Sequence, residues 1–161
     1  MTKLPEYEIY AIKYAHHDRR RAESFIHGDP HDGPMPLDYF VWLVRGAGRT
    51  LVVDTGFNAA MAAKRQRHHI RCPSEGLRLL GVEAAEVPEV IVTHLHYDHI
   101  GNFDLFPAAT FHLQDREMQY ATGRHMCHDV FSGAYEVEDV VGMASDIMAG
   151  KVRGRTVYEI G

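Results

Sequence analysis

The sequence predicts an α/β protein. Apolar runs rich in β-branched and aromatic residues, YFVWLV at 39–44, TLVVDTG at 50–56 and EVIVT at 89–93, alternate with helix-favouring segments at 58–69 and 116–122. No repeat or internal linker divides the 161 residues, so residues 1–161 are expected to form one domain.

The elements follow in chain order. Residues 6–15 (EYEIYAIKYA) read as a strand, and the Gly/Pro-rich stretch 28–36 as a loop. The 39–44 and 50–56 runs flank RGAGR, which predicts a β-hairpin. The second run is uninterrupted, as in a strand covered on both faces, and Tyr39, Phe40 and Trp42 are expected in the hairpin core. NAAMAAKRQRHH (58–69) favours helix and turns cationic toward its end, which suits the helix dipole. Pro73 opens a short helix closed by Gly81, and Pro88 precedes the 89–93 strand. A short strand is expected at 110–113, then a helix capped by Asp115 and ended by Gly123. Val137, Val140, Val141, Ala144, Ile147 and Met148 mark an amphipathic helix over 136–149, and TVYEI at 156–160 a last strand.

Composition narrows the function. A hydrophobic fraction of 45% with 24% charged residues excludes a disordered chain. A net charge of −5 argues against a nucleic-acid binder with a broad basic surface. There is no signal-peptide pattern and no apolar stretch of membrane-spanning length, so a soluble cytoplasmic protein is expected. Cys72 and Cys127 make no disulfide framework and read as reduced thiols. Histidine, at twelve residues, is abundant enough to invite metal or proton-transfer chemistry.

That chemistry gathers in HLHYDH, His94 to His99. His94 and His96 alternate along an extended backbone and so point to one side, while Asp98 and His99 enter the following turn. Imidazole and carboxylate are the N/O donors that Zn²⁺, Fe²⁺, Mn²⁺ and Co²⁺ accept. Two such pairs can hold two ions ~3.5–4 Å apart. The segment leaves the carboxyl end of a buried-type strand, where α/β folds place their sites. The other histidines carry less. His16/His17 and His68/His69 read as solvated surface pairs. His27 and His31 lie in a loop that could flank the site, and His125 and His128 surround Cys127 without a second ligand cluster.

HLHYDH resembles the HxHxDH signature of the metallo-β-lactamase fold superfamily, and LVVDTG resembles the family's strand-and-turn bearing an aspartate, here Asp54. The order YFVWLVRGAGRTLVVDTGF, VTHLHYDHIGN, FHLQDREMQYATG is similar to the quorum-quenching N-acyl-homoserine lactonase branch. The resemblance implies the N-terminal half of an αββα sandwich, a mixed β-sheet flanked by helices. It implies two divalent metal ions, zinc foremost, with His94 and His96 on the first and Asp98 and His99 on the second. Asp98 would also serve catalysis, and Asp54 would orient the ligand loop through hydrogen bonds. The family pattern further needs a third histidine, a bridging aspartate and another histidine, none of which is matched before Gly161.

The implied activity is hydrolysis of a lactone ring by attack of a metal-bound hydroxide, with a small lactone or ester as substrate. Thioester, phosphodiester or other ester hydrolysis is the alternative within the superfamily. Outside enzymes, the alternative is a truncated half-domain that binds metal or a partner chain. An uncovered sheet face would drive that chain to self-associate as a homo-oligomer and leave it a poor enzyme alone. No nucleic-acid or membrane partner is expected.

Overall fold

The structure is a computed structural model and describes residues 4–123. It contains a six-stranded mixed sheet in the order β4-β1-β2-β3-β5-β6. The predicted helix at 136–149, the strand at 156–160 and Cys127 lie outside the described residues.

β1 (Tyr7–His17) pairs antiparallel with β2 (Leu37–Gly46), which pairs antiparallel with β3 (Arg49–Val53). The predicted hairpin is therefore present. Its turn places Ala47 and Gly48 at φ of +50° and +75°, the left-handed backbone that two-residue hairpin turns need. Inward positions of β2 are buried (Tyr39, Val41, Leu43), as the two-residue period requires. Phe40 and Trp42 stand on the opposite face, 36% and 40% exposed, so the expectation that both lie in the core is corrected. Nor is β3 covered on both faces: Val52 is buried, while Leu51 and Val53 are half-buried.

The 58–69 segment departs most from its prediction. Helix α1 spans only Ala59–Lys64, capped by the Asn58 side chain, which accepts from the Met61 amide. Gln66 sits at φ +56°, and the Gln66 and Arg67 amides donate to the carbonyls of Ala63 and Ala62. That Schellman ending turns the chain out of the helix. His68–His69 then form β4, opposite His16 and Ala15 at the sheet edge. Residue preferences here favour helix, but edge pairing with β1 wins.

Helix α2 (Pro73–Leu79) starts on Pro73 as predicted, and Gly81 at φ +74° follows its end. β5 (Glu89–Val92) lies parallel to β3, and β6 (Thr110–Leu113) parallel to β5. α3 (Tyr97–Ile100) links β5 toward β6, and α4 (Asp115–Thr122) follows. The α4 cap position is Gln114 rather than Asp115.

The core joins Ile12, Tyr14, Val41, Leu43, Val52, Phe57, Leu77, Val90, Val92, Leu95 and Phe106 on the helix-bearing face of the sheet. Tyr14, Phe57 and Tyr39 meet edge-on or tilted, at ring separations of 4.9 to 6.1 Å. The other face carries Ile9, Phe40, Trp42 and Ile91, each more than a third exposed.

Candidate metal centre

The parallel strands β3 and β5 end side by side. Asp54 follows β3, and Thr93 and the HLHYDH segment follow β5. The Asp54 amide donates to the Ile91 carbonyl, which joins the two chain ends. Asp54 holds φ +62°, a conformation that Asp and Asn tolerate better than most residues. Gly56 at φ +71° completes the bend. A Cβ there would fall 2.9 Å from the Tyr14 ring, so glycine is required twice over.

The Asp54 carboxylate is buried, 4% exposed, and organises its surroundings. Oδ1 accepts from the Thr93 amide at 2.8 Å, and the Thr93 hydroxyl lies 2.9–3.0 Å from both oxygens. His99 Nδ1 stands 2.8 Å from Oδ2. Since a carboxylate only accepts, His99 donates from Nδ1, and Nε2 is the nitrogen left for a metal. It stands 3.5 Å from Asp98 Oδ2, a contact that is attractive while that nitrogen holds a proton. Thr93 Oγ1 donates to Asp54 and can accept from His94 Nδ1 at 3.1 Å, which leaves His94 Nε2 as the free lone pair. That nitrogen is 3.0 Å from His96 Nδ1.

The His94 ring lies 3.8 Å from that of His99 and 4.5 Å from that of His96. The structure thus brings His94, His96, Asp98 and His99 together, with Asp54 and Thr93 behind them. Burial pushes the His94 and His96 imidazoles below their usual value, which keeps them neutral. Burial also acts downward on His99, but the Asp54 hydrogen bond and the Asp98 charge outweigh it and raise that group.

Among the described residues, no three His, Cys, Asp or Glu side chains already surround one point as a metal site would. The donors are instead hydrogen-bonded to one another. The chemistry of the set nonetheless fits a metal. Two nitrogens bound tetrahedrally at Zn–N of 2.0–2.1 Å are about 3.3 Å apart, close to the His94–His96 separation. Small rotations of four side chains, and loss of the proton shared by His94 and His96, would open the shell.

Further residues support the turn. Tyr14, fully buried on β1, donates its hydroxyl to the Asp98 carbonyl at 2.9 Å. The Thr55 amide donates to the His99 carbonyl at 2.7 Å, and Asn102 Nδ2 to the Thr55 carbonyl at 3.1 Å. Glu117 Oε1, on α4, accepts from the Leu95 amide at 2.9 Å. None of these was singled out from sequence. Thr93 borders the motif, but Tyr14 and Glu117 lie 84 and 22 residues from their partners and leave no local signal. His27 and His31 form no hydrogen bond or ion pair with the four donors. His125 and His128 lie outside the described residues.

Comparison with known proteins gives the same picture at family level. N-acyl homoserine lactonase AttM of Azorhizobium caulinodans is 32% identical over 108 residues, 58% of this chain and 40% of that protein. Probable metallo-hydrolase YqjP of Bacillus subtilis is 36% identical over 76 residues, 45% of this chain and 21% of that protein. The aligned part thus spans two fifths or less of these curated relatives. Among solved structures, a probable metal-dependent hydrolase from Staphylococcus aureus superposes with a TM-score of 0.69 at 13% identity, covering 98% of this chain and 61% of that one. AidC, a dizinc quorum-quenching lactonase in complex with the product N-hexanoyl-L-homoserine, gives 0.61 at 14% identity, covering 98% and 59%. At such identities the superpositions establish the fold. Residues 35–157 match the profile of the Metallo-beta-lactamase superfamily. That match extends over most of the sequence, from β2 through the HLHYDH turn and beyond, and the chain belongs to the metallo-β-lactamase superfamily.

Proposed function

We propose that this chain carries the metal-binding part of a hydrolase that opens lactone rings, with N-acyl homoserine lactones as the substrate class. One observation carries the reading: His94, His96, Asp98 and His99 lie together, and Asp54 and Thr93 fix which ring nitrogens are free. The AttM relatives and the dizinc lactonase fold relative support the lactone assignment.

His94 Nε2 and His96 Nδ1 would hold one divalent ion, and Asp98 Oδ2 and His99 Nε2 a second. Zinc is the ion of the dizinc lactonase that shares this fold, and these donors accept it. When bound, such ions act as Lewis acids that polarise a carbonyl and acidify water. The chain's own residues do the rest. Asp54 holds the His99 ring, so its Nε2 keeps one direction through the reaction. Neutral His94 presents its Nε2 lone pair directly, and neutral His96 presents Nδ1 once the proton it shares with His94 has left. Asp98 brings a negative charge to the set, and its other oxygen, Oδ1, can take up the proton freed as water adds to the ring carbonyl. Tyr14 anchors the Asp98 peptide from the core.

A second reading, a chain that pairs with a partner through its sheet, is favoured by the exposed Ile9, Phe40, Trp42 and Ile91 face. Proton release from N-hexanoyl homoserine lactone tests the first reading. A pH indicator would follow it with zinc and with chelator, on the 161-residue chain and on any longer natural form. Chelator-sensitive release is expected. Faster turnover of a thioester or phosphodiester would move the protein to another branch, and turnover of none would leave the pairing reading.

A further inference from the structure

A second cluster of metal-type donors lies away from HLHYDH, at the sheet edge where β4 meets β1. Strands β2 and β3 stand between it and β5. His16 and His68 are direct cross-strand partners, and their rings are 6.0 Å apart. Both turn Nε2 to a single carboxylate. His16 Nε2 lies 2.8 Å from Asp18 Oδ1, and His68 Nε2 lies 3.2 Å from Asp18 Oδ2. Behind His16, Nδ1 is 2.6 Å from Asp38 Oδ1, and the Lys13 ammonium holds the same oxygen at 2.6 Å.

We propose that His16, Asp18 and His68 form a separate site for a divalent transition-metal ion, with Asp38 orienting His16. Two imidazoles and a carboxylate are the donors that zinc, cobalt, nickel and copper dications accept. Both rings already aim the ligating nitrogen at the third ligand. The three side chains do not surround one point as they stand. An ion would take the place of the protons between those nitrogens and the carboxylate, and the side chains would rotate about it to gather the donors. Asp38 supplies what ligating histidines ordinarily have, a carboxylate on the other ring nitrogen that fixes tautomer and direction. Asp18 and His68 are mostly exposed, at 75% and 67%, so an ion has an open path and keeps water in its remaining positions. The sheet supplies the rigidity, because the β1–β4 register sets the two histidines opposite each other.

The test is zinc stoichiometry together with ring-nitrogen NMR on the 161-residue chain. Wild type is expected to bind one more zinc ion per chain than His68→Ala or Asp18→Asn. Zinc should also shift the His16 and His68 ring resonances to saturation. Asp38→Asn should weaken that added ion by about 10–100-fold and leave the metal at HLHYDH unchanged. Equal stoichiometry in wild type and in both variants, or His16 and His68 resonances that zinc does not move, would overturn the proposal. Circular dichroism of both variants separates loss of the site from loss of the fold. An Asp38→Asn protein that is less stable but binds zinc as wild type does would show that Asp38 serves the strand pair alone.

Discussion

Across 45 residues of sequence, His99 Nδ1 and Asp54 Oδ2 meet at 2.8 Å. The same carboxylate takes the Thr93 amide and hydroxyl, so one buried group ties the end of β3 to the end of β5 and aims a candidate metal ligand. Its removal should therefore be felt both in stability and in metal binding. Asp54→Ala leaves the Thr93 amide and His99 Nδ1 without their acceptor and is expected to cost about 2–4 kcal/mol. Metal affinity should fall about 10–100-fold. Urea unfolding and chelator competition measure the two effects. Asp54→Asn should cost less, because Asn accepts the +62° backbone and keeps one acceptor oxygen.

His96→Ala should lower the metal bound at HLHYDH, because it removes a donor. His27→Ala, in the exposed loop, should not. Elemental analysis of the two variants beside wild type makes the comparison, and equal metal content in all three would remove His96 from the ligand set.

Phe57 is fully buried and packs against the rings of Tyr14, Tyr39 and Tyr97 at 4.9, 5.2 and 5.5 Å. Phe57→Ala is expected to destabilise the fold by about 3–5 kcal/mol, the range for a large aromatic lost from a packed core. Tyr14→Phe keeps the ring and loses only the hydrogen bond to the Asp98 carbonyl, and about 1 kcal/mol should follow. Denaturant midpoints would rank the two, and a larger loss for Tyr14→Phe would contradict the packing account.

Glu89 receives a two-point contact from Arg49 and stands 3.3 Å from His112. The Arg49 hydrogen bond, and to a lesser degree the neighbouring charges, hold its carboxyl below the 4.5 of a free glutamate. A group depressed on folding contributes stability that is present above its unfolded value and lost as pH falls through the folded one. Thermal midpoints should therefore drop below pH 4.5 through this pair. Arg49→Met should flatten that part of the profile; an unchanged slope would show that other carboxylates carry it.

The sequence by itself determined the fold class, the hairpin, the presence of the β5 strand and the family, because these rest on local patterns, whereas the expected burial of β5 on both faces fails at Ile91, which is 38% exposed. Apolar alternation, a two-residue turn and four metal-binding side chains within six consecutive residues are legible without a partner. It also put Asp54 beside the motif, though only through resemblance. The tertiary structure alone decided which ring nitrogens are free, since His99 takes its tautomer from a carboxylate 45 positions away. It decided the roles of Tyr14 and Glu117, whose hydrogen bonds span 84 and 22 residues. It also turned a predicted helix end into the edge strand β4, where His68 meets His16. Helix preference is a sum over neighbours in sequence, whereas a strand edge offers unpaired amides and carbonyls that any nearby backbone can satisfy. That hydrogen-bonding demand comes from β1, about fifty residues earlier, and no local reading of the 58–69 segment contains it.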